Sequence, residues 1–250
     1  MSQRTRSAVL SREVLLVLGV SLGASAAYSI VSFIGKLTAA TPLSQQTTAL
    51  NNSAAPGRPY LDLTYQLLGV ITAVIPALLA IHLLGRDEPP VRIGVDGRRP
   101  WFDLGTGTAL AAIIGIPGLG LYLLARELGI NTNIAAANLP PYWWTIPVLI
   151  LAALANGILE EVVMVGYLLT RLREIGWKTW HAVVGSALLR GSYHLYQGVG
   201  GFIGNAIMGV IFGLFFLRFK RVMPLIIAHT ILDVVSYVGY TLLRDKVSFL

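Results

Sequence analysis

The sequence predicts an all-α fold, a polytopic transmembrane helix bundle of about seven spans with its N-terminus in the cytoplasm. Three observations predict it. Hydrophobic residues make up 55 % of the 250 residues and charged residues only 12 %, whereas a soluble domain carries roughly 25 % charged residues. The apolar residues gather into runs long enough to cross a bilayer, for which about 20 residues are needed. The basic residues fall between those runs, mostly on alternate sides. The net charge of +7 is therefore read as loop arginines facing anionic headgroups, not as a nucleic-acid surface. Cysteine is absent, which excludes disulfides, cysteine nucleophiles and thiolate metal sites.

The spans are expected at 13–35, 62–84, 104–125, 144–169, 180–197, 199–217 and 222–243, each helical because lipid leaves no partner for an open backbone. Arg4, Arg6 and Arg12 precede the first span. Arg86, Arg92, Arg98 and Arg99 follow the second, Arg171, Arg173 and Lys178 the fourth, and Arg218, Lys220 and Arg221 the sixth. Lys36, Arg58, Arg126, Arg244 and Lys246 are all that the other side holds. This bias places the first side in the cytoplasm. The first span has a basic start and an Ala24-Ser25-Ala26 triplet, as a signal peptide would, but its apolar run continues to Ile34 and favours a retained span. An N-terminal segment, 1–143, would hold three spans, a flexible external loop at 36–61 rich in Ser, Thr, Asn and Pro, and a charged cytoplasmic loop at 85–103. A second segment, 144–250, would hold four spans. In the sixth, Gly201, Asn205, Gly209 and Gly213 recur every fourth residue, a seam of small residues for close helix packing.

Ionisable groups inside a bilayer are costly and mark function by default. Here they lie in the second segment: Glu160 and Glu161 on span four, Arg190 and His194 on span five, His229 and Asp233 on span seven. His82, near the end of span two, reads as an interface residue. Residues four apart share a helix face, so Arg190 and His194 point one way, as do His229 and Asp233, and Asn156 and Glu160. Three polar stripes on apolar helices are expected to meet in one buried site, because isolated charges would be expensive. Each stripe also has a purely structural reading: a helix end for the glutamates, a core histidine for His194, an orienting pair for His229 and Asp233.

The ordered trio resembles the CAAX-protease-and-bacteriocin-processing (CPBP) family of intramembrane proteases. Glu160-Glu161-Val162-Val163-Met164-Val165-Gly166 is similar to that family's first motif, a Glu-Glu pair followed after three residues by Arg. Arg190-Gly191-Ser192-Tyr193-His194 falls where the family has Phe, three residues, His. His229-Thr230-Ile231-Leu232-Asp233 is similar to the third motif, His followed four residues later by Asn or a similar residue. Two departures stand out: Val165 replaces the motif Arg, and Arg190 replaces the motif Phe. Arg190 is expected to supply from span five the charge that span four lacks.

The resemblance implies a bacterial cytoplasmic-membrane endopeptidase, with residues 144–250 as catalytic core and a membrane-associated protein or peptide as substrate. Glu160 or Glu161 would activate a water, and His194 and His229 would position it and stabilise the oxyanion. Asp233 would hold His229 in one tautomer, Arg190 would tune the field, and Asn156 and Tyr193 would support the site from behind. Metal-free chemistry is favoured because no His-Glu-x-x-His helix is present. If zinc were bound, Glu160, His194 and His229 would be its ligands. Ser192 and His194 are two apart on one helix and diverge, which argues against a serine dyad. Two other classes stay open: a proton-coupled transporter, for which no inverted repeat is visible, and a non-catalytic immunity or scaffold protein, which Val165 favours.

Overall fold

A computed structural model describes residues 3–244 and residue 246. Helices α1 (Gln3–Gly19) and α2 (Leu22–Leu37) are followed by a three-residue strand β1 (Thr47–Ala49), then α3 (Pro59–Gly85), α4 (Pro100–Glu127) and a second short strand β2 (Asn133–Ala135). Helix α5 (Thr145–Glu160) continues through a π-helical segment, Glu161–Tyr167, into α6 (Leu168–Ile175). Helices α7 (Thr179–His194), α8 (Val199–Phe219) and α9 (Met223–Leu243) complete the bundle. The chain is thus a polytopic helical bundle. Five helices among the described residues are long and apolar enough to cross a membrane, or six when α1 and α2 are joined.

The expected seven spans are corrected in two places. The first is bent by 53° between α1 and α2. There the Ser21 hydroxyl donates to the Val17 carbonyl at 2.5 Å, the kind of back-bonding that bends helices. A Cβ on Gly23 would lie only 2.7 Å from the Leu18 carbonyl oxygen, so the bend needs glycine there. The fifth is α7, whose 16 residues rise about 24 Å, less than the roughly 30 Å of a hydrocarbon core. The fourth span, in turn, is longer than expected and runs to Ile175.

The loops sort to two ends. At the arginine-rich end, Arg171 is buried and bonds Asp87 at 2.6 Å, Glu174 at 2.7 Å and Glu13 at 2.8 Å. The Tyr167 hydroxyl donates to the same Glu13 at 2.9 Å. Arg221 bonds Asp103 at 2.6 Å and Asp96 at 2.9 Å. The Val222 N–H donates to Ile93 O, which pins loop 91–97 beneath α9. Arg171 and Arg221, read from sequence as headgroup-facing loop charges, are instead the centres of ionic clasps.

At the opposite end, the segment expected to be a flexible loop is ordered. Strand β1 pairs in parallel with β2, Thr48 opposite Ile134. The Lys36 ammonium donates to the Thr48 hydroxyl and to the Tyr196 carbonyl. Thr48 and Thr132 share a hydrogen bond of 2.7 Å. Buried Asp62 accepts from the Ala54 N–H at 2.9 Å, tying the loop to α3. The link between α7 and α8 turns at Gly198 with φ +122, and a Cβ there would meet Asn131 Oδ1 at 2.5 Å. Helix α7 therefore starts at the arginine-rich end and finishes against this loop cluster.

Helix α7 lies along α8, and α5 along α9. The glycine seam serves the first pair in part. A Cβ on Gly209 would lie 3.0 Å from Ala187 Cα, and one on Gly213 would touch Val183 at 3.4 Å, whereas one on Gly201 would meet Gln197 in the turn before α8 at 3.0 Å and the His194 carbonyl ending α7 at 3.1 Å. The second pair meets at Gly157, where a Cβ would come within 2.8 Å of Thr230 Oγ1 and 3.1 Å of Ile226 O. These close approaches bring the polar faces of α5, α7 and α9 together.

Candidate active site

The glutamate pair sits where the helical repeat changes. Glu160 ends α5 and Glu161 opens the π segment. Such wide turns are rare and often mark functional positions. All seven π residues are buried, and the Ser186 hydroxyl on α7 donates to the Met164 carbonyl at 2.8 Å. That bond ties α7 to the π segment.

Arg190 lies at the centre. Its side chain is 1 % exposed, and that of Glu161 is 0 %. One guanidinium edge grips Glu161, Nη2 to Oε1 at 2.5 Å and Nη1 to Oε2 at 3.1 Å. Nη2 also reaches Glu160 Oε2 at 3.3 Å. Such a bidentate pair is the strong geometry for an arginine and a carboxylate. The guanidinium carbon stands 5.5 Å from the centre of the Phe212 ring, a cation–π contact. Arg190 thus faces both glutamates and not lipid, as the missing motif arginine at Val165 led one to expect.

The two glutamates have different surroundings. Glu161 is saturated, since His229 Nδ1 also lies 2.6 Å from its Oε1. That short contact makes Nδ1–H the donor, so the approach of Arg190 Nη2 to the same nitrogen at 3.1 Å is proximity and not a second hydrogen bond. Glu160 accepts from the Tyr193 hydroxyl at 2.7 Å. The same Oε2 lies 3.6 Å from His194 Nε2, too far for a direct hydrogen bond. His194 Nε2 is buried without a partner, as are Arg190 Nε and Thr230 Oγ1.

On α9, His229 Nε2 points toward Asp233 Oδ2 at 3.7 Å. The tautomer-holding contact expected from Asp233 is therefore made by Glu161 at the other ring nitrogen. Asp233 Oδ2 instead accepts from Asn156 Nδ2 at 3.2 Å and from the Tyr237 hydroxyl at 3.0 Å. Asn156 also donates to Tyr237 Oη at 3.0 Å.

All the residues singled out from sequence therefore meet: Asn156, Glu160, Glu161, Arg190, Tyr193, His194, His229 and Asp233. The sequence reading missed Tyr237, which the four-residue spacing from Asp233 marks, and Phe212, for which no signal exists. The candidate metal ligands also differ from expectation. Among the described residues, Glu160, Glu161 and His229 bring ligand atoms within 4.8 Å of one another, and His194 is not of that set. The donor types suit a divalent ion, but the Arg190 guanidinium already stands among them, so the group as arranged does not fit a metal.

Comparison with curated proteins and with solved structures gave no significant match. A family model does match, over a little more than a third of the chain. Residues 142–235, which carry all eight of the side chains expected from sequence, match the family model described as type II CAAX prenyl endopeptidase Rce1-like, consistent with the CPBP resemblance.

Proposed function

We propose that this integral membrane protein is an intramembrane endopeptidase in which Glu160 is the general base. The observation that carries the assignment is the 3.6 Å gap between Glu160 Oε2 and the unpartnered His194 Nε2. A water seated beside that gap can hydrogen-bond to both atoms at about 2.8 Å. Glu161, held by Arg190 and His229, has no comparable freedom and serves as an orienting group.

In this reading Glu160 takes a proton from the water as its oxygen attacks the scissile carbonyl, and later passes it to the leaving amine. His194, whose Nδ1 accepts from the Gln197 amide at 3.3 Å, donates its Nε2–H to the same water and fixes its direction. His229, protonated at both nitrogens, keeps Nδ1–H on Glu161 and offers Nε2–H to the developing oxyanion. Asp233 stands behind that nitrogen, and Asn156 and Tyr237 hold Asp233 in place. Arg190 offsets the charge of the paired carboxylates. The chemistry asks nothing of a metal ion. The substrate is a membrane-associated peptide or protein tail, reached in the plane of the bilayer.

The test uses purified protein in liposomes and a quenched fluorescent peptide ending in a prenylated cysteine motif. Wild type is expected to release the C-terminal fragment. Glu160→Gln is expected to lose at least about 100-fold in rate, the usual size of a general-base contribution, while eluting as folded protein. Equal cleavage by wild type and Glu160→Gln sinks the assignment.

A further inference from the structure

Two carboxylates and an imidazole within ligand distance of one another form the composition of a divalent-cation site. The protein itself fills the place an ion would take. A single nitrogen, Arg190 Nη2, lies 2.5 Å from Glu161 Oε1, 3.1 Å from His229 Nδ1 and 3.3 Å from Glu160 Oε2. Zinc needs about 2.0–2.2 Å to the same atoms, so ion and guanidinium cannot share the space. Deprotonation offers no escape, because arginine keeps its proton in proteins. Withdrawal is also hindered. The guanidinium rests on Phe212, and the stem is so tightly backed by α8 that a single methyl on Gly209 would lie 3.2 Å from Arg190 Cδ.

We propose that Arg190 is a resident cation filling a latent divalent-metal site, so that the native chain excludes zinc and gains a zinc site when the guanidinium is removed. The proposal deepens the reading of the same pocket given above, but it rests on the positions of four side chains, and its readout is metal and not cleavage.

Tag-free protein in detergent micelles is titrated with Zn2+ by calorimetry and with Co2+ by visible absorption. Wild type is expected to show no stoichiometric site. Arg190→Ala is expected to bind one ion per chain, at least about 100-fold more tightly than wild type, with the intense absorption of tetrahedral cobalt. Arg190→Lys keeps a cation and is expected to stay metal-free. Arg190→Ala combined with Glu161→Gln loses one ligand and is expected to fall back toward wild type. Should Arg190→Ala unfold without an ion, added zinc is expected to raise its melting midpoint by mass action, and an unchanged midpoint counts against the proposal. One zinc bound per wild-type chain and lost in His229→Ala overturns it, as does a folded Arg190→Ala that takes up none. Because nothing here reads proteolysis, a chain that cleaves no peptide would overturn the enzyme assignment and leave these titrations as they stand.

Discussion

The Arg190–Glu161 pair sets the scale of energy stored in the site. Its partners are 1 % and 0 % exposed, so solvent screening is negligible and the usual small value of a surface pair does not apply. Truncating Arg190 to Met keeps most of the stem and its packing against α8 at Gly209 but leaves two buried carboxylates without their cation. Breaking one side of a buried pair costs about 3–5 kcal/mol. For a chain of this size, that corresponds to a loss of roughly 6–20 °C in melting midpoint. Glu161→Gln alone removes the charge partner and should cost a similar amount. The double variant replaces both charges with groups that can pack and hydrogen-bond, so much of the loss should return. A double-mutant cycle by thermal unfolding in detergent is therefore expected to give a coupling energy of about 2–3 kcal/mol. A coupling below about 0.5 kcal/mol would mean that the guanidinium is not held by Glu161, and the electrostatic account of the pocket would fail.

Four further outcomes follow from particular contacts. Tyr193→Phe removes the 2.7 Å hydrogen bond to Glu160 and should cost about 1.5–3 kcal/mol of stability, the range for a bond to a charged group, measured by the same unfolding assay. Gly157→Val places a side chain where even a Cβ lies 2.8 Å from Thr230 Oγ1; it should destabilise by about 1–3 kcal/mol and lower peptide cleavage more than a Val at the open position Gly105. The Arg98 backbone N–H and the Arg221 side chain hold the half-buried Asp96 carboxylate below its ordinary 3.8, so its contribution is present above that pH and is lost as pH falls through the lowered value. The protection of amides at 93–97, taken relative to their intrinsic exchange rates, should accordingly fall below about pH 3.8, and Asp96→Asn should remove that dependence. Finally, Val165→Arg adds a second buried cation to a site already neutralised and should abolish folded yield, whereas Val165→Arg with Arg190→Phe should recover part of it; equal yields from the single and double variants would contradict this.

The candidate site was legible in the sequence because its signals are local. Glu160–Glu161, Arg190–His194 and His229–Asp233 are short spacings on apolar helices, and a charge in such a setting has few places to go. Tyr237 follows the same rule and was readable in principle. What escaped depends on distant partners or on backbone geometry. Arg171 looked like any basic residue beside a span, and only the fold brings Glu13 and Asp87 to it. The β1–β2 pairing joins Thr47 to Asn133 across the whole of α3 and α4, beyond the reach of any local pattern. The break between α1 and α2 falls in a run of unbroken hydropathy, where the Ser21 hydroxyl and Gly23 decide the path. The π segment Glu161–Tyr167 has no compositional mark at all, since Val, Met and Gly there suit an α-helix equally well.

That π segment explains why a cation on α7 can stand in for one on α5. In an α-helix Val165 would sit one turn beyond Glu161 on the same face; the wider i→i+5 turn rotates it from that position, and Val165 is buried in the core. Gly166 in turn accepts the side chains of Ile93 and Val222, because a Cβ there would lie 2.6 Å from Ile93 Cδ1. The wall of the helix beyond the glutamates is thus given over to apolar packing, with Val162, Val163, Met164 and Val165 all at 1 % exposure or less. An arginine on that wall would have to displace core, whereas Arg190 approaches from α7 through the space that Gly209 leaves on α8. The pocket sets a guanidinium beside its two glutamates, and which helix supplies it is set by where a long side chain can pass without opening the core.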